Sequence, residues 1–172
     1  MLFAYQGHAP KVDPSAYVQS TARVIGDVVI GADSSIWFQV VIRGDVNYVR
    51  IGARTNVQDS SVIHVTRDRW PTLIGDDVTI GHRAVVHGCK VGNRSLIGIG
   101  AVVMDGVEIE DDCLIAAGSL VTPRTRIPAG HLALGQPAKP ARELRPDELE
   151  YLKRSAANYV TYAVNYRNDG IL

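Results

Sequence analysis

An aliphatic residue recurs at every sixth position over most of the chain. The series of hexads is interrupted only by three irregular steps, of nine, eleven and five residues. A period of six fits neither an amphipathic helix nor an alternating strand. It is typical of a solenoid in which each flat face takes one hexad and the β-branched side chains stack inside. All nineteen positions are Ile or Val: Val12, Val18, Val24, Ile30, Ile36, Ile42, Ile51, Val57, Ile63, Ile74, Ile80, Val86, Val91, Ile97, Val103, Ile109, Ile115, Val121 and Ile127.

The irregular steps predict which part of the solenoid carries function. Three hexads per coil give a triangular prism of about six coils, with faces that we name a, b and c, starting with Val12 on face a. The steps 42–51, 63–74 and 86–91 then all run from face c to face a. Loops at one corner of a repeat array usually mark its functional surface. A β-sandwich is the alternative fold, but it does not explain so long a series of hexads.

After Ile127 the hexads stop and the pattern changes. The following segment is rich in Pro and Gly and predicts an extended connection, whereas the apolar residues of 146–167 lie three and four apart, as on one face of a helix. Pro146 suits a first helical position. We expect a β-helix domain at 1–130, followed at 131–172 by an extended connection and a C-terminal helix that packs on it. The predicted helical stripe is Leu149, Leu152, Ala156, Tyr159, Ala163 and Tyr166.

Composition narrows the classes of partner. Lys+Arg and Asp+Glu both total 18, so the net charge is zero, and no basic stripe is visible. This argues against a nucleic acid or an anionic membrane surface as the main partner. The first residues lack a signal-peptide pattern, and no segment approaches the run of about 18 apolar residues of a membrane span. Cys89 and Cys113 form no CxxC motif, which favours reduced thiols and a cytoplasmic protein.

Three of the five histidines occupy related positions in the repeat. His64 and His87 directly follow c-face aliphatics, so they should stack about 4.8 Å apart. His82 lies two residues past Ile80 on face b. A catalytic zinc site takes three protein ligands, and outward groups on two faces diverge, so a single chain cannot bring all three histidines to one ion. The spacing therefore predicts a metal shared between neighbouring chains of a homotrimer, with scattered surface histidines as the alternative.

The motifs around these histidines resemble those of a known family. They are V-I-R-G-D at 41–45, I-G-A-R-T-N-V-Q-D at 51–59, H-V at 64–65, I-G-H-R-A-V-V-H-G-C at 80–89 and I-G-I-G-A-V-V at 97–103. Over nearly its whole length the chain resembles the γ-class carbonic anhydrases and their compact bacterial relatives. The resemblance implies a left-handed parallel β-helix and a homotrimer, with Zn²⁺ bound by His64 and His87 of one chain and His82 of the next. Fe²⁺ or Co²⁺ would also suit imidazole ligands.

The resemblance also implies roles for residues around the metal. Arg43 and Asp59 match an ion pair between subunits. Asp45 and Asn56 match positions that orient the site by hydrogen bonding. Gln58 matches the residue that holds the water or hydroxide on the metal.

The match is less complete at two places. Tyr159 aligns with a C-terminal tyrosine near the site, and an aromatic residue that only packs the helix is the equal alternative. The loop 66–72, T-R-D-R-W-P-T, is short and lacks the glutamate that serves as proton shuttle in the prototype of the family. Asp68 is its only carboxylate. The loop is thus similar to that of the compact relatives, which predicts slow turnover.

The sequence therefore predicts a carbonic anhydrase-type lyase that hydrates CO2 reversibly to bicarbonate at the subunit interface. A hexapeptide acyltransferase or a metal-dependent thioesterase acting on an acyl-CoA is an alternative. Three clustered histidines and Gln58 argue against the acyltransferase, because such enzymes usually rely on a single histidine as base. A metal-binding scaffold with little activity is a third interpretation.

Overall fold

Short parallel strands with inward aliphatics build the body of the molecule. The computed structural model describes residues 1–171 and shows a parallel β-solenoid of about seven turns with one C-terminal helix, which confirms the predicted fold class. Leu172, the last residue of the predicted segment 131–172, lies outside the described residues. The elements are β1 (Leu2–Phe3), β2 (Lys11–Val12), β3 (Tyr17–Val18), β4 (Arg23–Ile30), β5 (Ser35–Ile36), β6 (Val41–Ile51), β7 (Asn56–Val57), β8 (Val62–His64), β9 (Thr72–Ile74), β10 (Thr79–Ile80), β11 (Val85–His87), β12 (Lys90–Val91), β13 (Leu96–Ile97), β14 (Val102–Val103), β15 (Glu108–Ile109), β16 (Leu114–Ile115), β17 (Leu120–Val121), β18 (Arg126–Ile127), β19 (His131–Gly135), β20 (Ala138–Glu143) and α1 (Pro146–Asn168).

The predicted hexad positions form the core. Seventeen of the nineteen aliphatics are buried, with at most 4% of their surface exposed, and the other two, Val12 and Val18, lie partly buried in the first coil. Successive coils stack in register, as Ile42, Ile63 and Val86 do on face c. Burial of an aliphatic side chain of this size stabilises the fold by about 1.5–3 kcal/mol. The repeat therefore fixes the register that positions the site.

The corner between faces c and a carries the irregular segments. Strands β4 and β6 cross this corner without a break, whereas residues 66–72 form an insertion closed by a bridge between Thr66 and Trp70. The indole of Trp70 packs against Gly106, where an added Cβ would lie 3.1 Å from the ring. The insertion is thereby held on the turn of the following coils.

The C-terminal end of the solenoid differs from the prediction. Strands β19 and β20 pair antiparallel as a hairpin, and β19 continues face b by parallel pairing with β16. The solenoid therefore continues one face beyond the last predicted hexad, which makes about seven turns where about six were expected. The next hexad position after Ile127 is Ala133, which pairs with Ile115 and is fully buried. Because an alanine stands where Ile or Val had marked the repeat, the pattern did not reveal this coil.

Helix α1 lies against face b. It buries Leu152, Ala156 and Ala163 of the predicted stripe, and it contacts strands β3, β5, β7 and β10. The Ser155 hydroxyl lies 3.1 Å from that of Thr79, which ties the helix to the sheet. None of the helices within residues 1–171 is long and apolar enough to cross a membrane.

Candidate metal centre

His64 and His87 form a close pair on face c. Each ends its strand, and the two are register partners in neighbouring coils. Their ring centroids are 5.0 Å apart, close to the predicted strand spacing, and His64 Nδ1 lies 3.0 Å from His87 Nε2. Nitrogens this close could both contact one ion at about 2.0–2.1 Å, the usual zinc–imidazole distance. The pair therefore fits two ligands of a shared metal.

The other ring nitrogen of each histidine meets a carboxylate. His64 Nε2 lies 3.0 Å from Asp45 Oδ1, and His87 Nδ1 lies 2.6 Å from Asp105 Oδ1. When both rings are neutral and each gives its N–H to a carboxylate, the two nitrogens that face each other carry lone pairs. Lone pairs at this distance repel each other unless a cation lies between them. The arrangement is the one by which metal-binding histidines are usually oriented.

The surroundings of His64 favour its neutral form, chiefly through burial. Partial burial lowers the pKa of His64, and the hydrogen bond to Asp45 offsets this only in part. Burial alone would raise the pKa of Asp45, but the hydrogen bond from His64 and the charge of Arg43 outweigh it, and the pKa is lowered. Arg43 forms an ion pair with Asp45. A neutral imidazole beside an ionised carboxylate is the state that binds a metal.

His82 lies on face b, just after β10, and does not join this pair within one chain. Its Nδ1 lies 2.7 Å from Asp59 Oδ2, and 40% of each side chain is exposed. Within residues 1–171 no group of three or more His, Cys, Asp or Glu side chains could hold a metal ion. Arg43 and Asp59 are likewise apart, each with its own partner. Neither predicted contact therefore forms within the single chain.

A chain of hydrogen bonds leads from the helix to Gln58. The Ser155 and Thr79 hydroxyls are in contact, and Asn56 Nδ2 donates to Thr79 Oγ1 at 2.9 Å. Gln58 Nε2 then donates to Asn56 Oδ1 at 3.1 Å. Asn56 and Gln58 are both buried. The structure thus gives Asn56 a definite task, because it fixes the amide of Gln58.

Tyr159 stands beside this group at the edge of a groove. A space of 470 Å³ between face b and α1 is lined by Gln58, His82 and Tyr159 together with apolar side chains. The Tyr159 ring packs edge-on against Trp37, with centroids 5.4 Å apart. Burial, with the nearby charge of Asp59, raises the pKa of Tyr159 to about 12. Tyr159 is therefore near the site and also part of the packing between helix and sheet.

Sequence reasoning missed one carboxylate. Asp105 contacts His87 as closely as any residue of the site, yet no motif included it. The available signal was the coil length, because Asp105 lies eighteen residues after His87, which is three hexads and close to one coil. With it, each of the three predicted ligands has a carboxylate within 3.0 Å of one ring nitrogen. No such ion pair occurs for His8 or His131 within the described residues.

Comparisons with known proteins identify the repeat and the family. Two hexapeptide-repeat models match, "Bacterial transferase hexapeptide (six repeats)" over residues 88–123 and "Hexapeptide repeat of succinyl-transferase" over residues 71–103. Gamma carbonic anhydrase 2, mitochondrial, of Arabidopsis thaliana is 48% identical over 90% of the chain, which spans 58% of the length of that plant protein. A carbonic anhydrase of Geobacillus kaustophilus is 42% identical, with 97% of this chain and 91% of that protein covered.

A solved structure of similar sequence has the same fold as this chain. The hexapeptide transferase family protein of Anaplasma phagocytophilum superposes with a TM-score of 0.93 at 42% identity, covering 96% of this chain and 98% of that one. The paired histidines, the solenoid and the full-length similarity to carbonic anhydrases are consistent with one another. The chain belongs to the γ-class carbonic anhydrase family of hexapeptide-repeat proteins.

Proposed function

We propose that this protein is a metal-dependent lyase of the carbonic anhydrase type, which hydrates CO2 reversibly to bicarbonate. The observation that carries the proposal is the set of three histidine–carboxylate pairs, His64 with Asp45, His82 with Asp59, and His87 with Asp105. Each carboxylate accepts one N–H and leaves the opposite nitrogen as a ligand. Zinc is the proposed ion, and iron or cobalt are the alternatives that metal analysis of the purified protein distinguishes.

The proposed ion lies between two chains of a homotrimer. His64 and His87 come from face c of one chain, and His82 comes from face b of the next. The outer surface of face c carries a stripe of aliphatics beside the histidine pair, and face b offers the apolar groove beside His82. Both surfaces are apolar, which favours their contact, and closing that contact around a three-fold axis gives three equivalent sites. The stripe consists of Val41, Val62, Val85, Val102 and Leu120.

The chain's own residues have separate tasks in this proposal. A bound zinc ion lowers the pKa of water to about 7, which supplies a nucleophile at neutral pH. Gln58, whose Nε2 donates to Asn56, would orient that water through its carbonyl oxygen. Arg43 of one chain pairs with Asp59 of the next and fixes the two faces together. The short loop 66–72 offers only Asp68 as a carboxylate, so we expect proton transfer to solvent to limit turnover.

Mixing two inactive variants tests the shared site. His82→Ala and His64→Ala each remove a ligand from every interface of a homotrimer. When the two are unfolded and refolded together, every mixed trimer contains one interface with all three ligands. Tight metal binding should return to about one third of the sites in mixed trimers. CO2 hydration should return with it.

A matched control uses two variants with defects on the same face. His64→Ala and His87→Ala both damage face c, so no arrangement of mixed trimers contains a complete site. This mixture should recover no metal binding. Recovery in both mixtures, or in neither although mass spectrometry shows mixed trimers, would refute the intersubunit site.

The size of the groove supports a second candidate function. A space of 470 Å³ is far larger than CO2 requires, and much of its lining is apolar. The part of this groove that the neighbouring chain leaves open would accept the acyl part of a thioester, so metal-dependent hydrolysis of an acyl-CoA is the alternative. Release of free thiol from acyl-CoA substrates of increasing chain length tests it directly. A protein that binds metal and turns over neither substrate would be the scaffold that the sequence also allows.

A further inference from the structure

Asp105 joins the histidine pair to the loop 66–72. Its Oδ1 lies 2.6 Å from His87 Nδ1 and 2.8 Å from the Thr66 hydroxyl, which donates to it. One carboxylate oxygen thus accepts two hydrogen bonds, one from a proposed metal ligand and one from the insertion. Thr66 is the first residue of the loop. A shift of the loop that moves Thr66 would therefore change the hydrogen bonding of this carboxylate.

The surroundings hold Asp105 in one place. Gly88 faces it so closely that an added Cβ would lie 2.4 Å from its Oδ1. The backbone carbonyl of Asp105 accepts a hydrogen bond from Arg124 N at 2.9 Å, which ties the turn to the next coil. On the loop side, Asn47 Nδ2 donates to the Thr66 carbonyl at 3.0 Å. The contact between loop and carboxylate is therefore restrained from both sides.

We propose that Asp105 is a positioning residue that sets the tautomer and ring orientation of His87, and that Thr66 makes this setting depend on the loop 66–72. The inference rests on the proposed function, because it assigns His87 Nε2 as a ligand. With the His87 proton held on Nδ1 by Asp105, the lone pair lies on Nε2, which faces His64. The loop then acts on the metal through a carboxylate, although it supplies no ligand.

The metal-free protein gives the first test, which does not depend on the reaction. Long-range ¹H–¹⁵N spectra of the histidine side chains at about pH 8, above the ordinary imidazole pKa, report which nitrogen carries the proton. His87 should be protonated at Nδ1 in the wild type and a mixture of tautomers in Asp105→Ala. Asp105→Asn should restore the wild-type tautomer, because an amide oxygen also accepts the N–H. An unchanged His87 tautomer in Asp105→Ala would overturn the inference.

Zinc affinity gives the second test. Loss of a carboxylate that orients a ligand usually weakens metal binding by about 10- to 100-fold. We expect a loss in this range for Asp105→Ala, an intermediate loss for Asp105→Asn and a smaller one for Thr66→Val. The matched control is Thr122→Val, whose hydroxyl contacts Thr125 at the same corner and touches no histidine. Equal affinities for Thr66→Val and Thr122→Val would remove the loop from the scheme.

The two tests separate this inference from the proposed function. Wild-type protein that shows the Nδ1–H tautomer of His87 but binds no zinc, iron or cobalt contradicts the proposed function, while the effect of Asp105 on the ring is retained. Wild-type protein that binds zinc, with variants at position 105 that bind it equally well, contradicts the inference alone. Far-UV circular dichroism of each variant confirms that the solenoid is intact.

Discussion

The two halves of the proposed site are ordered by different kinds of contact. On face c, strand register alone places His64 beside His87, and the carboxylates that orient them belong to adjacent coils. On face b, Gln58 is held by Asn56, which bonds Thr79, and the Thr79 hydroxyl contacts that of Ser155 on the helix. The c half is thus a property of the solenoid, whereas the b half needs α1 in place. Metal retention and orientation of water should therefore respond to different mutations.

The largest expected effect comes from removing a histidine on face c. His87→Ala removes a proposed ligand and leaves His64 without its partner, so metal content should fall from close to one ion per chain to nearly none. Metal analysis after gel filtration in metal-free buffer measures this. Full metal content in the variant would show that His87 is not a ligand.

A smaller effect is expected from the b half. Gln58→Ala leaves all three histidines intact, so metal content should stay at the wild-type level. CO2 hydration should fall by about 10- to 100-fold, the range found when a group that orients the metal site is lost. Stopped-flow kinetics on the zinc-loaded protein tests this. Unchanged kcat in an active preparation would exclude Gln58 from the reaction, and loss of metal would contradict the separation of the halves.

The smallest expected effect concerns how the free energy of unfolding depends on pH, and it tests the surroundings of His64 on face c. Because burial lowers the pKa of His64, the unfolded chain takes up a proton at a higher pH than the folded one. The free energy of unfolding of the metal-free protein should therefore decrease as the pH falls through about 6.5, the ordinary value for histidine. His64→Gln should reduce this decrease by a fraction of a kilocalorie per mole. Urea denaturation between neutral and mildly acidic pH measures it, and identical pH dependences would contradict it.

Much of this molecule could be predicted because its core follows one short period. The Ile or Val at each hexad position fixed both the solenoid and the register that brings His64 to His87. The helix was predicted from 146–167 and runs one residue further, to Asn168. Strong periodicity makes such elements predictable from the sequence, since the same spacing rule places each side chain.

The features that could not be predicted depend on contacts between coils of unequal length. The distance along the chain from Ile63 to Val86 exceeds that from Val86 to Val103, so the neighbour of a given side chain in the next coil is not at a fixed separation. Asp105 was missed because none of the motifs reached it, although it lies eighteen residues, close to one coil, after His87. The pairing of Asp59 with His82 was missed too, because the resemblance had assigned Asp59 to Arg43.

The hairpin of β19 and β20 has a consequence for how copies of this molecule can meet end to end. A parallel solenoid offers a row of unpaired backbone groups at each end and could in principle grow into a fibre by coaxial stacking. Here the final strand, β20, runs antiparallel to β19 and carries Lys139, Pro140 and Arg142 along its outer edge. Proline and charged side chains on an edge strand oppose further pairing. The hairpin therefore opposes end-to-end pairing along face b, and such pairing would be the first step of linear polymerisation.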